Sequence, residues 1–378
     1  MRPAGSRSHT AGSRSHTAGS RSHTALETGS PADARSFRCV LVTGGAGFIG
    51  CNLVRWILEH RPQTLVINLD ALTYAGNPAN IADIRDHERH RFVHGDICDE
   101  KLVGSLLDEG VDAVINAAAH SHVDRSLMRG DEFVATNVGG VQVILDAIKA
   151  RPQIRFVQVS TDEIYGSLPP DERCDENWPP APGNPYAATK AAAELLALSY
   201  RNSFGLDVVI SRCCNNFGPY HYPEKMIPLF ITNLLDGLRV PLYGDGLNYR
   251  EWIHVEDHCS ALVAILESGR SGEAYNISSG TGLTNLELTR RILDLLGKDD
   301  SSVEYVKDRP GHDRRYALDS RKIAAELGWQ PRHNLKDGLR ATCEWFQANE
   351  QWWRPIKSGA YRKYYQQQYA ERLKSAAI

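Results

Sequence analysis

No run of apolar residues in this chain approaches the roughly 20 that a bilayer-spanning helix requires; the longest, such as Ala113 to Ala119, are far shorter. A membrane-embedded protein is therefore not expected. The eight cysteines contain no C-x-x-C pair, and Cys213 and Cys214 are adjacent. That pattern offers neither a zinc site nor a disulfide framework, so the thiols read as reduced, the compartment as cytoplasmic and the metal content as none. Excess charge is also scarce, at −3 overall. Residues 1–36 hold five arginines against Glu27 and Asp33, which leaves the remainder at −6. A mildly acidic body is a poor partner for nucleic acid.

What is present is an ordinary globular composition: 378 residues, 42% hydrophobic and 24% charged. That is enough chain for one large α/β domain or two smaller lobes. The leader is different. Ala4-Gly5-Ser6-Arg7-Ser8-His9-Thr10 recurs unchanged at 11–17 and 18–24. A period of seven with almost no apolar side chains cannot make a coiled-coil seam or offset chain entropy, so residues 1–36 are expected to be disordered. A His9, His16, His23 metal tract and a targeting segment are the competing readings, and no apolar face or hydrophobic region supports targeting.

Folded structure is expected from Phe37. Cys39 to Val42 reads as a buried strand, followed by Thr43-Gly44-Gly45-Ala46-Gly47-Phe48-Ile49-Gly50 and a helix with Ile49, Leu53 and Ile57 at helical spacing. Gly44, Gly47 and Gly50 allow a tight turn, close approach of a pyrophosphate to backbone N–H groups, and tight packing of helix on sheet. The next strand, Leu65 to Leu69, ends in Asp70, twenty residues beyond Gly50. Its carboxylate suits a ribose diol and repels a 2′-phosphate, which favours NAD over NADP. Strand and helix patterns continue to alternate: Phe92 to His94, Ala113 to Ala119, a helix with Val141, Leu145 and Ile148, and Val208 to Ile210. The fold class is α/β, a Rossmann-type, doubly wound parallel sheet.

Val157 to Ser160 reads as another buried strand, so Thr161, Asp162 and Glu163 emerge at its carboxyl end, where open α/β sheets bind ligands. Asn184-Pro185 is an N-cap followed by proline in the first helical position, placing Tyr186 and Lys190 four apart on one helical face. An ammonium there favours the phenolate and turns a poor base into a usable one.

After Cys214 the pattern is less regular, and a smaller C-terminal α/β lobe is expected over residues 215–355, with the part near 250–270 returning to the NAD-binding domain of residues 37–214. Pro241 to Gly246 reads as a turn cluster, Arg250-Glu251-Trp252 as the approach to a short strand, and Asp308 to His312 as a loop. Thr284 and Glu287 form a capping box. Leu335, Leu339, Thr342 and Phe346 line a last core helix. Residues 356–378 form a basic tail in which Tyr361, Tyr364, Tyr365 and Tyr369 repeat at helical spacing. Docking on the body or on a partner subunit is favoured over binding of single-stranded nucleic acid.

Over about residues 37–355 these motifs resemble the extended short-chain dehydrogenase/reductase superfamily, and within it the dTDP-glucose 4,6-dehydratases. The most specific match is Ser160-Thr161-Asp162-Glu163-Ile164-Tyr165-Gly166. Ser121-His122-Val123-Asp124-Arg125-Ser126, Asn215-Asn216-Phe217-Gly218-Pro219-Tyr220, Pro223-Glu224-Lys225, Arg250-Glu251-Trp252 and Arg309-Pro310-Gly311-His312-Asp313 support it. His120 departs from the pattern, since the family commonly carries glutamate there.

The resemblance implies that Thr161, Asp162, Glu163, Tyr186 and Lys190 are catalytic: Tyr186 as the C4 base with Lys190 and Thr161, Glu163 as the C5 base and Asp162 as the acid. It implies an NAD site of Gly44, Gly47, Phe48, Ile49, Gly50, Asp70, Leu72, Thr73, Asp96, Ile97, Ala117, Ala119, Thr136, Tyr186, Lys190 and Asn216. It assigns the nucleotide sugar to Ser121, Thr161, Asn215, Lys225, Met226, Pro241, Tyr243, Arg250, Asn285, Arg309 and His312. A homodimer acting on a small-molecule nucleoside-diphosphate glucose is the implied assembly. A UDP-glucose 4,6-dehydratase, an NAD-dependent epimerase or decarboxylase, and a non-enzymatic NAD sensor are the alternatives.

Overall fold

A computed structural model of the chain describes residues 34–374. The heptapeptide repeats, with residues 1–33 of the expected leader, lie outside the described residues. In the first half β1 (Cys39–Thr43), α1 (Phe48–His60), β2 (Leu65–Asp70), β3 (His90–His94), α2 (Glu100–Leu107) and β4 (Ala113–Asn116) are followed by α3 (Val123–Met128) and α4 (Asp131–Val134). A wide helical turn, Ala135–Gly140, leads into α5 (Val141–Lys149), then β5 (Arg155–Thr161), α6 (Pro185–Phe204) and β6 (Val208–Cys213).

The second half runs through β7 (Asn215–Phe217), α7 (Met226–Leu235), β8 (Val240–Tyr243), β9 (Tyr249–His254), α8 (Val255–Ser268), β10 (Ala274–Ile277), β11 (Gly282–Thr284) and α9 (Asn285–Leu295). It ends with β12 (Val303–Val306), α10 (Arg321–Leu327), α11 (Leu335–Ala348), α12 (Glu350–Ile356) and α13 (Gly359–Lys374).

Seven parallel strands form the main sheet in the order β10-β6-β5-β4-β1-β2-β3. Both of its faces are covered because side chains alternate along each strand. Val40 and Val42 pack with Leu53, Ile57, Leu262 and Ile265 of α1 and α8. Cys39 and Leu41 point the other way, among Val103, Leu106, Ile144, Leu145 and Ala197 of α2, α5 and α6. Strand order reverses between β1 and β4, so their carboxyl ends open a crevice, the usual ligand position in such sheets.

A second body of smaller sheets, β11-β9-β7 and β12-β8, surrounds a separate core of Ile227, Phe230, Trp252, Leu288, Leu339, Phe346 and Trp353. Arg250, Glu251 and Trp252 lie within β9 rather than before it. The expected turn cluster begins as β8: Val240 to Tyr243 pair with Val303 to Val306, and only Gly244 to Gly246 turn. Proline is tolerated at Pro241 because β8 is an edge strand. The capping box at Thr284 and Glu287 is present, as is the Asn184 cap on α6. The carboxyl end of the chain does not stop at Trp353. In α13, Tyr361 and Tyr369 are buried, the Tyr361 hydroxyl donates to the Pro223 carbonyl at 2.9 Å, and Asn233 Nδ2 donates to the Tyr365 hydroxyl at 3.1 Å.

Candidate active site

The turn after β1 is shaped for close approach. Gly44 has φ +71°, and a Cβ there would lie 2.8 Å from Ala118 Cα; one at Gly50 would lie 2.1 Å from the Gly44 carbonyl oxygen. Helix α1 starts at Gly47 with no side-chain cap, so its first N–H groups remain for a ligand anion. At the end of β2, Ala46 N–H donates to Asp70 Oδ2 at 2.9 Å and Leu72 N–H to Oδ1 at 2.7 Å. Burial raises the Asp70 pKa while these amides pull it back.

Around this turn lies a cavity lined by Gly44, Gly47, Phe48, Ile49, Gly50, Asp70, Thr73, Asp96, Ile97, Ala117, Ala119, Thr136, Tyr186 and Lys190. Leu72 and Asn216 do not line it. Leu72 holds the bend with φ +49° and contributes its N–H to Asp70. Asn216 turns the other way along β7, donating to the Cys214 carbonyl at 3.0 Å and meeting His258 Nδ1 at 2.9 Å. Its neighbour Asn215 takes the opposite side, toward a second cavity, as strand alternation requires.

That second cavity shares Glu224 and Lys225 with the first and is lined by Glu163, Asn215, Met226, Pro241, Tyr243, Arg250, Asn285, Arg309 and His312 as well. Ser121 faces the first cavity instead, while its carbonyl accepts from Lys225 Nζ at 2.7 Å. Three cations, Lys225, Arg250 and Arg309, converge here, the composition of a diphosphate site. Burial is the largest influence on each, and it lowers the pKa of Lys225 and of Arg250. His312 is pushed down to about 4 by burial and then by Arg309 and Arg250, so a neutral ring faces the cavity at neutral pH. Buried polar atoms on this wall have no protein partner: Asn215 Oδ1, Asn285 Oδ1, Trp252 Nε1 and Arg309 Nε. Unsatisfied buried groups are costly, and a polar ligand would satisfy them.

At the end of β5, Val159 and Ser160 line the first cavity and Glu163 the second, while Thr161 and Asp162 are buried and line neither. Thr161 Oγ1 lies 3.2 Å from Asp162 Oδ1 and accepts from Glu163 N–H at 3.3 Å. Asp162 is 3% exposed, and burial, then the Glu163 charge, raises its pKa well above the usual carboxylate range. Glu163 is half-buried, opens into the second cavity and accepts from Asn184 Nδ2 at 3.2 Å. Two adjacent carboxyl groups thus have different surroundings, the condition for an acid and a base side by side.

Tyr186 and Lys190 share the cofactor-side wall, as the N-cap of α6 requires. Lys190 Nζ donates to the Val159 carbonyl at 2.6 Å, and burial pushes its pKa down to about 8. Burial and then Glu163 raise the Tyr186 pKa, whereas the Thr161 hydroxyl lowers it by hydrogen bonding. The Thr161 hydroxyl favours the phenolate, and one N–H of the ammonium one helical turn away is engaged by the β5 backbone.

The residue lists read from sequence omitted Tyr369, His122, Glu224 and Phe230, all of which line the second cavity. The tyrosine spacing of the tail was a usable signal for Tyr369, but nothing local aims a C-terminal helix at a cavity built near residue 124.

A family model described as GDP-mannose 4,6 dehydratase matches residues 41–342. dTDP-glucose 4,6-dehydratase of Streptomyces niveus is 52% identical over 323 residues, which cover 84% of this chain and 96% of that protein. The chain belongs to the dTDP-glucose 4,6-dehydratase family. The Streptomyces griseus member is 53% identical over 319 residues, covering 84% of this chain and 96% of its own length. DesIV, a family member from Streptomyces venezuelae solved with NAD and dTDP bound, superposes with TM-score 0.83 at 52% identity, covering 84% of this chain and all of that one.

Proposed function

We propose that this chain converts dTDP-glucose to dTDP-4-keto-6-deoxyglucose, with NAD in the first cavity and the nucleotide sugar in the second. The observation that carries the reading is that Ser160, Tyr186 and Lys190 line the first cavity and Glu163 lines the second, with Thr161 and Asp162 buried next to them in the chain. The first cavity suits NAD: a side chain at Gly44 or Gly50 would fill the turn, and the Asp70 carboxylate awaits a diol rather than a 2′-phosphate. NAD, when bound, accepts the C4 hydride and returns it to C6.

Tyr186 takes the proton of the C4 hydroxyl, its phenolate supported by the Thr161 hydroxyl, so that C4 becomes a ketone. That ketone acidifies the proton on C5. Glu163 removes it, and Asp162, kept protonated by burial, supplies a proton to the C6 hydroxyl, which leaves as water. Reduction at C6 is matched by return of a proton to C5 from Glu163. Lys225, Arg250 and Arg309 hold the diphosphate, and Asn215, Asn285, Tyr243 and Tyr369 hold the rest of the nucleotide sugar. Ser121, facing the shared boundary, lies near the pyranose.

A homodimer and a cytoplasmic setting complete the reading. Exposed Val134, Leu195 and Phe204, on α4 and α6, support a subunit contact, and eight unpaired cysteines suit a reducing compartment. Among the described residues no helix is long and apolar enough to cross a membrane. The test is incubation of purified protein with dTDP-glucose and, separately, UDP-glucose. A 4-keto-6-deoxy product from the first, with loss of one water by mass, is the expected outcome; an epimer of unchanged mass would overturn the assignment.

A further inference from the structure

Arg125 performs none of the steps above, yet its guanidinium uses three surfaces at once. Its central carbon lies 3.9 Å from the centre of the Tyr74 ring and 4.0 Å from that of Tyr364. Its edge reaches Glu224 Oε2 through Nε at 3.0 Å and through Nη2 at 2.9 Å. Tyr74 comes from the loop after β2 and lines the cofactor cavity. Tyr364 comes from α13, the helix whose Tyr369 lines the nucleotide-sugar cavity, and its hydroxyl is 3.5 Å from Nδ1 of His122, another residue of that wall. Glu224, its side chain 2% exposed, lines both cavities, and so does Lys225 next to it. The family model ends at residue 342, before α13 begins.

We infer that Arg125 is a positioning residue that couples the two cavities, so that a nucleotide sugar seated against α13 holds the Tyr74 loop closed on NAD. This rests on the assignment of the two cavities made above. A planar guanidinium can stack on two rings while its edge binds a carboxylate, and an ammonium cannot. Tyr74 also meets the rings of His120 and Tyr222, but its contact with Arg125 is shared with Tyr364, which stays in place while α13 is docked. A ligand that bridges Tyr369 and Tyr243 to the opposite wall stabilises that docking, and the bracket passes the gain to the cofactor loop. The arrangement suits a reaction in which the coenzyme must remain bound while it carries the hydride taken from C4. Binding-site coupling of this kind is reciprocal.

The test is release of labelled NAD from the purified holoenzyme, chased with unlabelled NAD, with and without saturating dTDP. In the wild type, dTDP should slow release by about 5- to 150-fold, the usual span of coupling between sites. Tyr364→Leu and Arg125→Lys should bring that ratio close to one while still binding each ligand, and Tyr364→Phe, which keeps the ring, should retain it. A merely structural role would lower the melting temperature of the variants and leave the ratio intact. Wild-type ratios in Tyr364→Leu and Arg125→Lys, or a ratio of one in the wild type, overturn the coupling but not the function. Failure of the wild type to bind dTDP or NAD at all overturns both.

Discussion

The two cavities meet at Glu224 and Lys225 but are built on opposite plans. The cofactor cavity is made largely from the carboxyl ends of consecutive parallel strands, so Gly44 to Gly50, Asp70, Asp96, Ala117 and Ala119 arrive in chain order at one edge of one sheet. The nucleotide-sugar cavity gathers Glu163, Asn215, Lys225, Tyr243, Arg250, Asn285, Arg309 and Tyr369 from loops, two small sheets and three helices. A repeated supersecondary unit determines the first. Packing of distant segments determines the second, and it leaves buried polar atoms that a polar ligand would satisfy.

The variant that most sharply separates the cavities joins Asp162→Asn to Glu163→Gln. It spares the cofactor side, so C4 oxidation should survive while product formation falls by about 10²- to 10⁴-fold, the typical cost of a positioned acid or base. Absorbance of bound NADH should then accumulate on mixing with dTDP-glucose, and Tyr186→Phe should show neither NADH nor product. Near wild-type turnover of the double variant would mean that the two carboxyl groups are structural.

Asp70→Ala attacks the other side. Loss of charge-assisted hydrogen bonds of about 1.5–3 kcal/mol should weaken NAD binding by roughly 10- to 100-fold, measured as cofactor retained through gel filtration. Unchanged retention would remove Asp70 from the site.

Tyr369→Ala tests whether α13 belongs to the nucleotide-sugar wall. The expected change is a rise in KM for dTDP-glucose of roughly tenfold, equivalent to about 1.4 kcal/mol, with kcat nearly unchanged. An unaltered KM would reduce the helix to packing.

The smallest effect concerns the joint between the two bodies. His333, just ahead of α11, places Nδ1 3.0 Å from Asp257 Oδ1 and Nε2 3.3 Å from Glu256 Oε2, both on α8, while its ring stacks on His254. Hydrogen bonds to Asp257 and Glu256 raise its pKa to about 9, above an unfolded value near 6.5. A raised histidine pKa stabilises the fold fully below the unfolded value and ceases to do so as pH rises through about 9. The melting temperature of the wild type should therefore fall further between pH 6.5 and 9.5 than that of His333→Gln, by a few degrees. Parallel pH profiles would show that this pair contributes nothing to the joint.

The sequence alone determined what depends on neighbours along the chain. The glycine spacing after Cys39 to Val42, the acid closing the next strand, the Asn184-Pro185 helix start and the Thr161-Asp162-Glu163 group are all local, because a turn, a cap or a strand end is specified by residues within a few positions of it. Alternation of strands and helices then leaves few ways to order a parallel sheet, so the class of fold was legible as well.

Tertiary structure decided the rest. That Asn215 faces the cavity and Asn216 does not follows from the register of β7 on β9. That Lys190 engages Val159, and that Asp162 is buried while Glu163 is half open, follows from how α6 seats against β5. That Tyr364 closes over Arg125, some 240 residues away, follows from the docking of α13. Such contacts are set by the summed burial of whole elements, and no short window of residues carries that sum.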